Sequence, residues 1–90
     1  MTVGLTQERR ISQLAYYVKG LKSDDSFRAK HADRVINLIC YYIAKELGDR
    51  SYNNYEFLFD RYICLYNKSG TLIIAVDIQS KKLDNMREEH

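Results

Sequence analysis

The run from Tyr62 to Ile78 leaves this chain the least freedom. It reads Tyr-Ile-Cys-Leu-Tyr, then Asn-Lys-Ser-Gly, then Thr-Leu-Ile-Ile-Ala-Val-Asp-Ile. β-Branched and aromatic residues on either side of a polar turn ending in glycine specify a β-hairpin. Asn67 suits the first position of a type I turn, and Gly70 the left-handed residue that follows it. With Asn67 facing Thr71, the ladder pairs Tyr66 with Leu72, Leu65 with Ile73, Cys64 with Ile74, Ile63 with Ala75 and Tyr62 with Val76. Arg61 then falls opposite Asp77, an opposite-charge pair that adds a few tenths of a kcal/mol to this register. Both faces of the hairpin are apolar, so both require cover. A third strand, the C-terminal segment or a second copy of the chain could supply it.

The rest of the chain must build around that hairpin as a single domain over residues 1–90, because ninety residues without proline make one core, not two. A hydrophobic fraction of 46% excludes extensive disorder. Ile11, Leu14, Ala15, Val18 and Leu21 fall at helical spacing behind Thr6, a natural N-cap, with Tyr16 pointing away from the stripe. Gly20 is expected to stop this helix by turning left-handed. Ser23-Asp24-Asp25-Ser26 contains the next N-cap. A long second helix then runs from about Ser26 to Leu47, with Ala32, Val35, Ile36, Ile39, Cys40, Ile43 and Leu47 on its apolar face and Leu38 and Tyr42 extending it. Such a breadth of apolar residues predicts a helix covered over more than half its circumference. Gly48 closes it.

Tyr55 to Phe59 begins extended structure. Asp60-Arg61 is poor chemistry for a two-residue hairpin turn, because both central residues would need unusual backbone angles. The expectation is one long strand, bulged near Asp60-Arg61, whose aromatic front half forms an exposed edge. Thr2-Val3 is a possible strand stub, and residues 79–90 are a polar tail or short frayed helix anchored by Leu83 and Met86. The fold class is therefore α+β: two N-terminal helices, the second long, packed on a small antiparallel hairpin sheet, with a possible short C-terminal helix.

No stretch carries recognisable reaction chemistry. His31, His90, Cys40 and Cys64 lie at no metal-ligand spacing. Cys40 and Cys64 sit among apolar neighbours and read as reduced core thiols. Neither Ser12 nor Ser26 has a nucleophile-elbow frame, and the four glycines are spread singly, so no phosphate loop exists. The chain is expected to have no enzymatic activity and no cofactor. No run approaches the ~20 apolar residues of a membrane span, and the N-terminus lacks a signal-peptide pattern, so the expected location is the cytoplasm.

A net charge of +2 neither demands nor excludes a nucleic-acid partner. Arg9, Arg10, Lys19 and Lys22 spread around the first helix, and Arg28, Lys30 and Arg34 are interleaved with His31 and Asp33. A hairpin after two helices is similar to a winged-helix arrangement, which gives one alternative: a small nucleic-acid-binding protein. The wing turn would carry only Lys68, however, and the second helix is broadly apolar for groove reading.

A further resemblance runs from Glu46-Leu47-Gly48 through Tyr62-x-x-x-Tyr66 to the apolar strand and Lys81-Lys82. This half of the chain resembles the C-terminal half of the RelE/ParE toxin superfamily, in which two helices precede a meander with a Tyr/Arg pattern and following basic residues. The resemblance implies ribosome-dependent mRNA cleavage or gyrase poisoning, with Arg61, Tyr62, Lys81 and Lys82 as the site. The chain departs from that pattern in having no full first strand before its helices and no string of arginines on the hairpin.

The aromatic residues give the leading expectation. Tyr52, Tyr55, Phe57, Phe59, Tyr62 and Tyr66 crowd into one short segment, and aromatics are what interface centres use. They are the candidate interface residues of a small protein-binding module, a regulator, inhibitor or adaptor of the kind common among phage and mobile-element accessory proteins. Its partner is another protein, with self-association as a homodimer through the sheet.

Overall fold

The computed structural model describes residues 7–84. Two helices, α1 (Gln7–Leu21) and α2 (Ser26–Glu46), precede four strands: β1 (Tyr52–Leu58), β2 (Tyr62–Asn67), β3 (Leu72–Asp77) and β4 (Lys82–Asp84). The strands form one antiparallel sheet in the order β1-β2-β3-β4, and the helices pack on it in an α+β arrangement. Two sets of cross-strand neighbours, Phe57–Ile63–Val76–Leu83 and Tyr55–Leu65–Ile74, point toward the helices. There they meet Ile11, Leu14 and Val18 of α1 and Ile36, Ile39, Cys40 and Ile43 of α2. Ile11, Leu14, Ile36, Ile63, Leu65 and Val76 are fully enclosed, each contributing roughly 1.5–3 kcal/mol by its removal from water.

Local chemistry explains the boundaries. Asp25 caps α2, its Oδ1 accepting from the Phe27 N–H at 3.0 Å and from the Arg28 N–H. Gly48, at φ 92°, follows the C-cap Leu47 as the sequence predicts. At the β2–β3 turn the Asn67 side chain accepts from Ser69 and Thr71 N–H groups, both at 2.9 Å, and Gly70 stands at φ 83°.

Gly20 corrects the expectation for the first helix. It lies inside α1, buried, and a Cβ placed on it would come within 2.9 Å of the Ala32 Cβ. The missing side chain lets two helices approach; it does not provide a left-handed stop.

The hairpin register is right at its turn and slips beyond it. Tyr66 faces Leu72, but an irregularity next to that pair leaves Ile73 without a partner and moves the remaining pairs by one: Leu65–Ile74, Cys64–Ala75, Ile63–Val76 and Tyr62–Asp77. The slip keeps Ile63, Leu65, Ile74 and Val76 all on the helix side.

The long bulged strand is also corrected. Residues 52–58 and 62–67 are two strands paired with each other, reversed by a tight turn in which Phe59 (φ 56°) and Asp60 (φ 53°) are both left-handed. The Arg61 N–H closes it on the Leu58 carbonyl at 3.0 Å. The unusual angles are taken by Phe-Asp, one residue earlier than Asp-Arg, and Lys22 of the helix connection pairs with Asp60 at 2.8 Å. After β3, residues 82–84 form a strand, not a helix. The strand stub at Thr2-Val3, the Thr6 cap, Met86 and any helix over 85–90 lie outside the described residues.

Candidate functional site

The six aromatic candidates do not share one surface. A bulge between Tyr52 and Asn54 turns Tyr52 and Tyr55, three positions apart, to the same side of the sheet. Both reach α2. The Tyr52 hydroxyl donates to Asn37 Oδ1 at 2.5 Å and the Tyr55 hydroxyl to Asp33 Oδ1 at 2.5 Å. Asp33 and Asn37 are one helical turn apart, so two rungs fasten β1 beneath α2. Burial is the main reason both phenols are held well above the usual tyrosine range, with Cys40 acting next on Tyr52 and Asp33 on Tyr55. Phe57 packs against the core with Lys22 Nζ 5.9 Å from its ring centre.

The other three face away from the helices or stand clear of the sheet. Tyr66 lies over the outer face, donating to Glu56 Oε1 at 3.2 Å. Tyr62 is half-buried on that face, beneath the Arg61 guanidinium. Phe59 is 85% exposed at the tip of its turn. The outer face is less hungry for cover than the sequence suggests. Its centre is the small pair Cys64 and Ala75, both already buried.

Arg61, Tyr62, Lys81 and Lys82 do come together. Tyr62, Asp77 and Lys82 are neighbours across β2, β3 and β4, and the Lys81 N–H donates to the Asp77 carbonyl at 2.8 Å. The guanidinium is committed within the chain: Arg61 Nε and Nη2 grip both carboxylate oxygens of buried Asp77 at 2.8–3.1 Å. Asp77 also accepts from the Gln79 and Ser80 N–H groups. Arg61 first, then those donors, hold its carboxyl far below the usual carboxylate range. The contact is a lock on the β3–β4 turn.

Apolar surface is instead concentrated on α2. Leu38 (54% exposed), Tyr41 (42%) and Tyr42 (44%) fall at consecutive stripe positions with half-buried Val35, on the side of the helix away from the sheet. This corrects the expectation that Leu38, Tyr42 and Leu47 are covered: all three are open, because α1 is the only other helix among the described residues. Leu38 forms a ridge between two shallow grooves. One, of about 330 Å³, lies between the helices and is lined by Arg10, Tyr17, Val35, Leu38 and Tyr42. The other, of about 530 Å³, includes Val35, Leu38, Tyr41 and, at its floor, Tyr52 of β1. Cations border the patch: Arg10 is 5.9 Å from the Tyr42 ring centre and pairs with Glu46 at 2.5 Å, and Lys45 is 5.9 Å from the Tyr41 ring centre.

Burial pushes the Cys40 thiol up to about 12 and raises that of Cys64. Among the described residues no three His, Cys, Asp or Glu side chains gather as metal ligands, and no helix is long and apolar enough to cross a membrane. Comparison with protein-family models, with curated proteins and with solved structures returned no match to this chain.

Proposed function

We propose that this protein is a small protein-binding module that works by contact rather than by catalysis, and that α2 presents its binding surface. One observation carries the reading: Leu38, Tyr41 and Tyr42 form an open stripe on a folded helix, continued by half-buried Val35 and bordered by Arg10, Arg34 and Lys45. Tyrosine and arginine around an aliphatic centre are the composition of interface hot spots, and the outlying charges suit a polar rim. Such a stripe fits helix-on-helix or helix-in-groove recognition, read at i, i+3, i+4 and i+7. The role remains that of a regulator, inhibitor or adaptor.

The test is site-specific photocrosslinking in the cells that make the protein. A photoreactive residue replacing Leu38 should give a discrete protein adduct, identifiable by mass, while one replacing exposed Lys81 in the β3–β4 turn, at the side of the sheet opposite β1, should not. Adducts equal in number and kind from both positions would sink the proposal.

A further inference from the structure

We infer that a partner of this surface is a second copy of the chain, joined strand to strand along the free edge of β1 and helix to helix along α2. The inference rests on the binding role proposed for α2 and specifies one occupant. Among the described residues, sheet order leaves two edges, β1 and β4. β4 has three residues, with Lys82 and Asp84 exposed at its ends, a short charged edge that resists pairing. β1 has seven residues, no proline and no lysine, and Asn54 to Leu58 run in regular register beyond the bulge. Its outward N–H and C=O groups therefore form a template for another strand.

A two-fold axis requires the surface to match itself, and β1 does. Two-fold symmetry across the edge makes the pairing antiparallel. Centred on Tyr55, it sets Glu56, the single charged residue of β1, opposite Asn54 of the second copy, so like charges do not meet. The helix layer follows the same axis. α2 lies over β1 through the Tyr52–Asn37 and Tyr55–Asp33 hydrogen bonds. The groove that joins Leu38 and Tyr41 to Tyr52 brings the Tyr41 side of the helix stripe next to the strand, while Tyr42 borders the groove toward α1. The flank of α2 beside β1 carries both signs, Asp33 with Lys30 and Arg34, so a symmetric partner can offer each charge its opposite.

Area gives the size class of the contact. Seven strand residues span roughly 23 Å, and a sheet layer with its helix is roughly 20 Å deep, giving on the order of 500 Å² per subunit. Stable interfaces begin near ~600 Å² per partner, so this is a small contact of the weak, reversible class. The product is a continuous eight-stranded sheet with the two α2 helices side by side.

Sedimentation velocity and amide hydrogen exchange test this together on the full chain, from about 1 to about 300 μM. The expected result is a concentration-dependent shift from monomer to dimer, with amides of residues 52–58 exchanging at least several-fold more slowly at the high concentration. Leu38→Glu and Tyr41→Glu, whose parent side chains are exposed, should keep the monomer's circular dichroism and abolish the dimer. A monomer throughout the range overturns the inference, as does a dimer whose β1 amides exchange at a rate independent of concentration. A monomer that still gives the Leu38 adduct in cells would remove self-pairing and leave the proposed binding role standing.

Discussion

Gly20 reverses the ordinary rule for glycine in a helix. At an open helical position, replacing it with alanine would add about 1 kcal/mol. Here the new Cβ would meet the Ala32 Cβ at 2.9 Å, with helix backbone behind both. Gly20→Ala should therefore lower stability by roughly 1–3 kcal/mol through overpacking of the α1–α2 crossing. Urea denaturation checks the sign, and a more stable variant would mean that the crossing relaxes freely. Phe59 and Asp60 make the opposite case. Each non-glycine left-handed residue costs roughly 1–2 kcal/mol, and a two-residue hairpin turn with both φ positive favours Asn-Gly. Phe59→Asn with Asp60→Gly should raise stability by about 1 kcal/mol even though it removes the Lys22 ion pair, which is exposed and worth little. The midpoint of the same urea titration reports it.

At the scale of elements, β1 is paired with β2 on one side only among the described residues, and its two tyrosine hydroxyls matter accordingly. A double-mutant cycle on Tyr52→Phe and Asn37→Ala should give a coupling of roughly 0.5–1.5 kcal/mol, read from denaturation midpoints. Coupling near zero would show the 2.5 Å hydrogen bond to be replaceable by water. These tethers also mark where sequence reasoning stops. Both helices, the Asn67–Gly70 turn and the core stripe of Ile11, Leu14 and Val18 are local patterns of period or turn chemistry, and they are legible. The separation of β1 from β2 is not, because it depends on Phe59 and Asp60 accepting strained angles that neighbouring elements stabilise. The register slip at Ile73 is equally hidden, since Ile73 and Ile74 carry the same side chain. The aromatic candidates were legible in composition, but their placement was not. Aromatic crowding at 52–66 marks β1 and β2, but only three-dimensional packing reveals that Tyr52, Tyr55 and Phe57 turn inward. The open stripe of α2 was not foreseen, because its apolar arc is wider than the one companion helix and one sheet face among the described residues can cover.

For the whole molecule, the perturbed groups define a pH window of stability. Asp77 is depressed in the folded state by Arg61 and the turn N–H groups, so its unfolded form binds the proton more readily. Its contribution is complete above the ordinary carboxylate value of about 4 and is lost as pH falls below it. Cys40 acts at the other end. Its folded value is raised to about 12 from 9.0, chiefly by burial, so its contribution is complete below about 9 and is lost as pH rises toward 12. Tyr52 and Tyr55, also raised, add to the alkaline loss, though both are partly open to solvent and contribute less than their shifts suggest. Stability should thus form a plateau between about pH 5 and pH 8, falling on both sides. Asp77→Asn should lower the plateau and flatten its acid limb, since the variant has no carboxylate to protonate there. Cys40→Val, close in volume, should leave the plateau near its original height and flatten the alkaline limb between pH 9 and 11. The Cys40 part of that limb reflects one retained proton, a slope of at most about 1.4 kcal/mol per pH unit for a wholly buried thiol. Thermal unfolding of the three proteins across this range decides the matter, and an alkaline limb unchanged in Cys40→Val would assign that loss to the tyrosines that fasten β1 under α2.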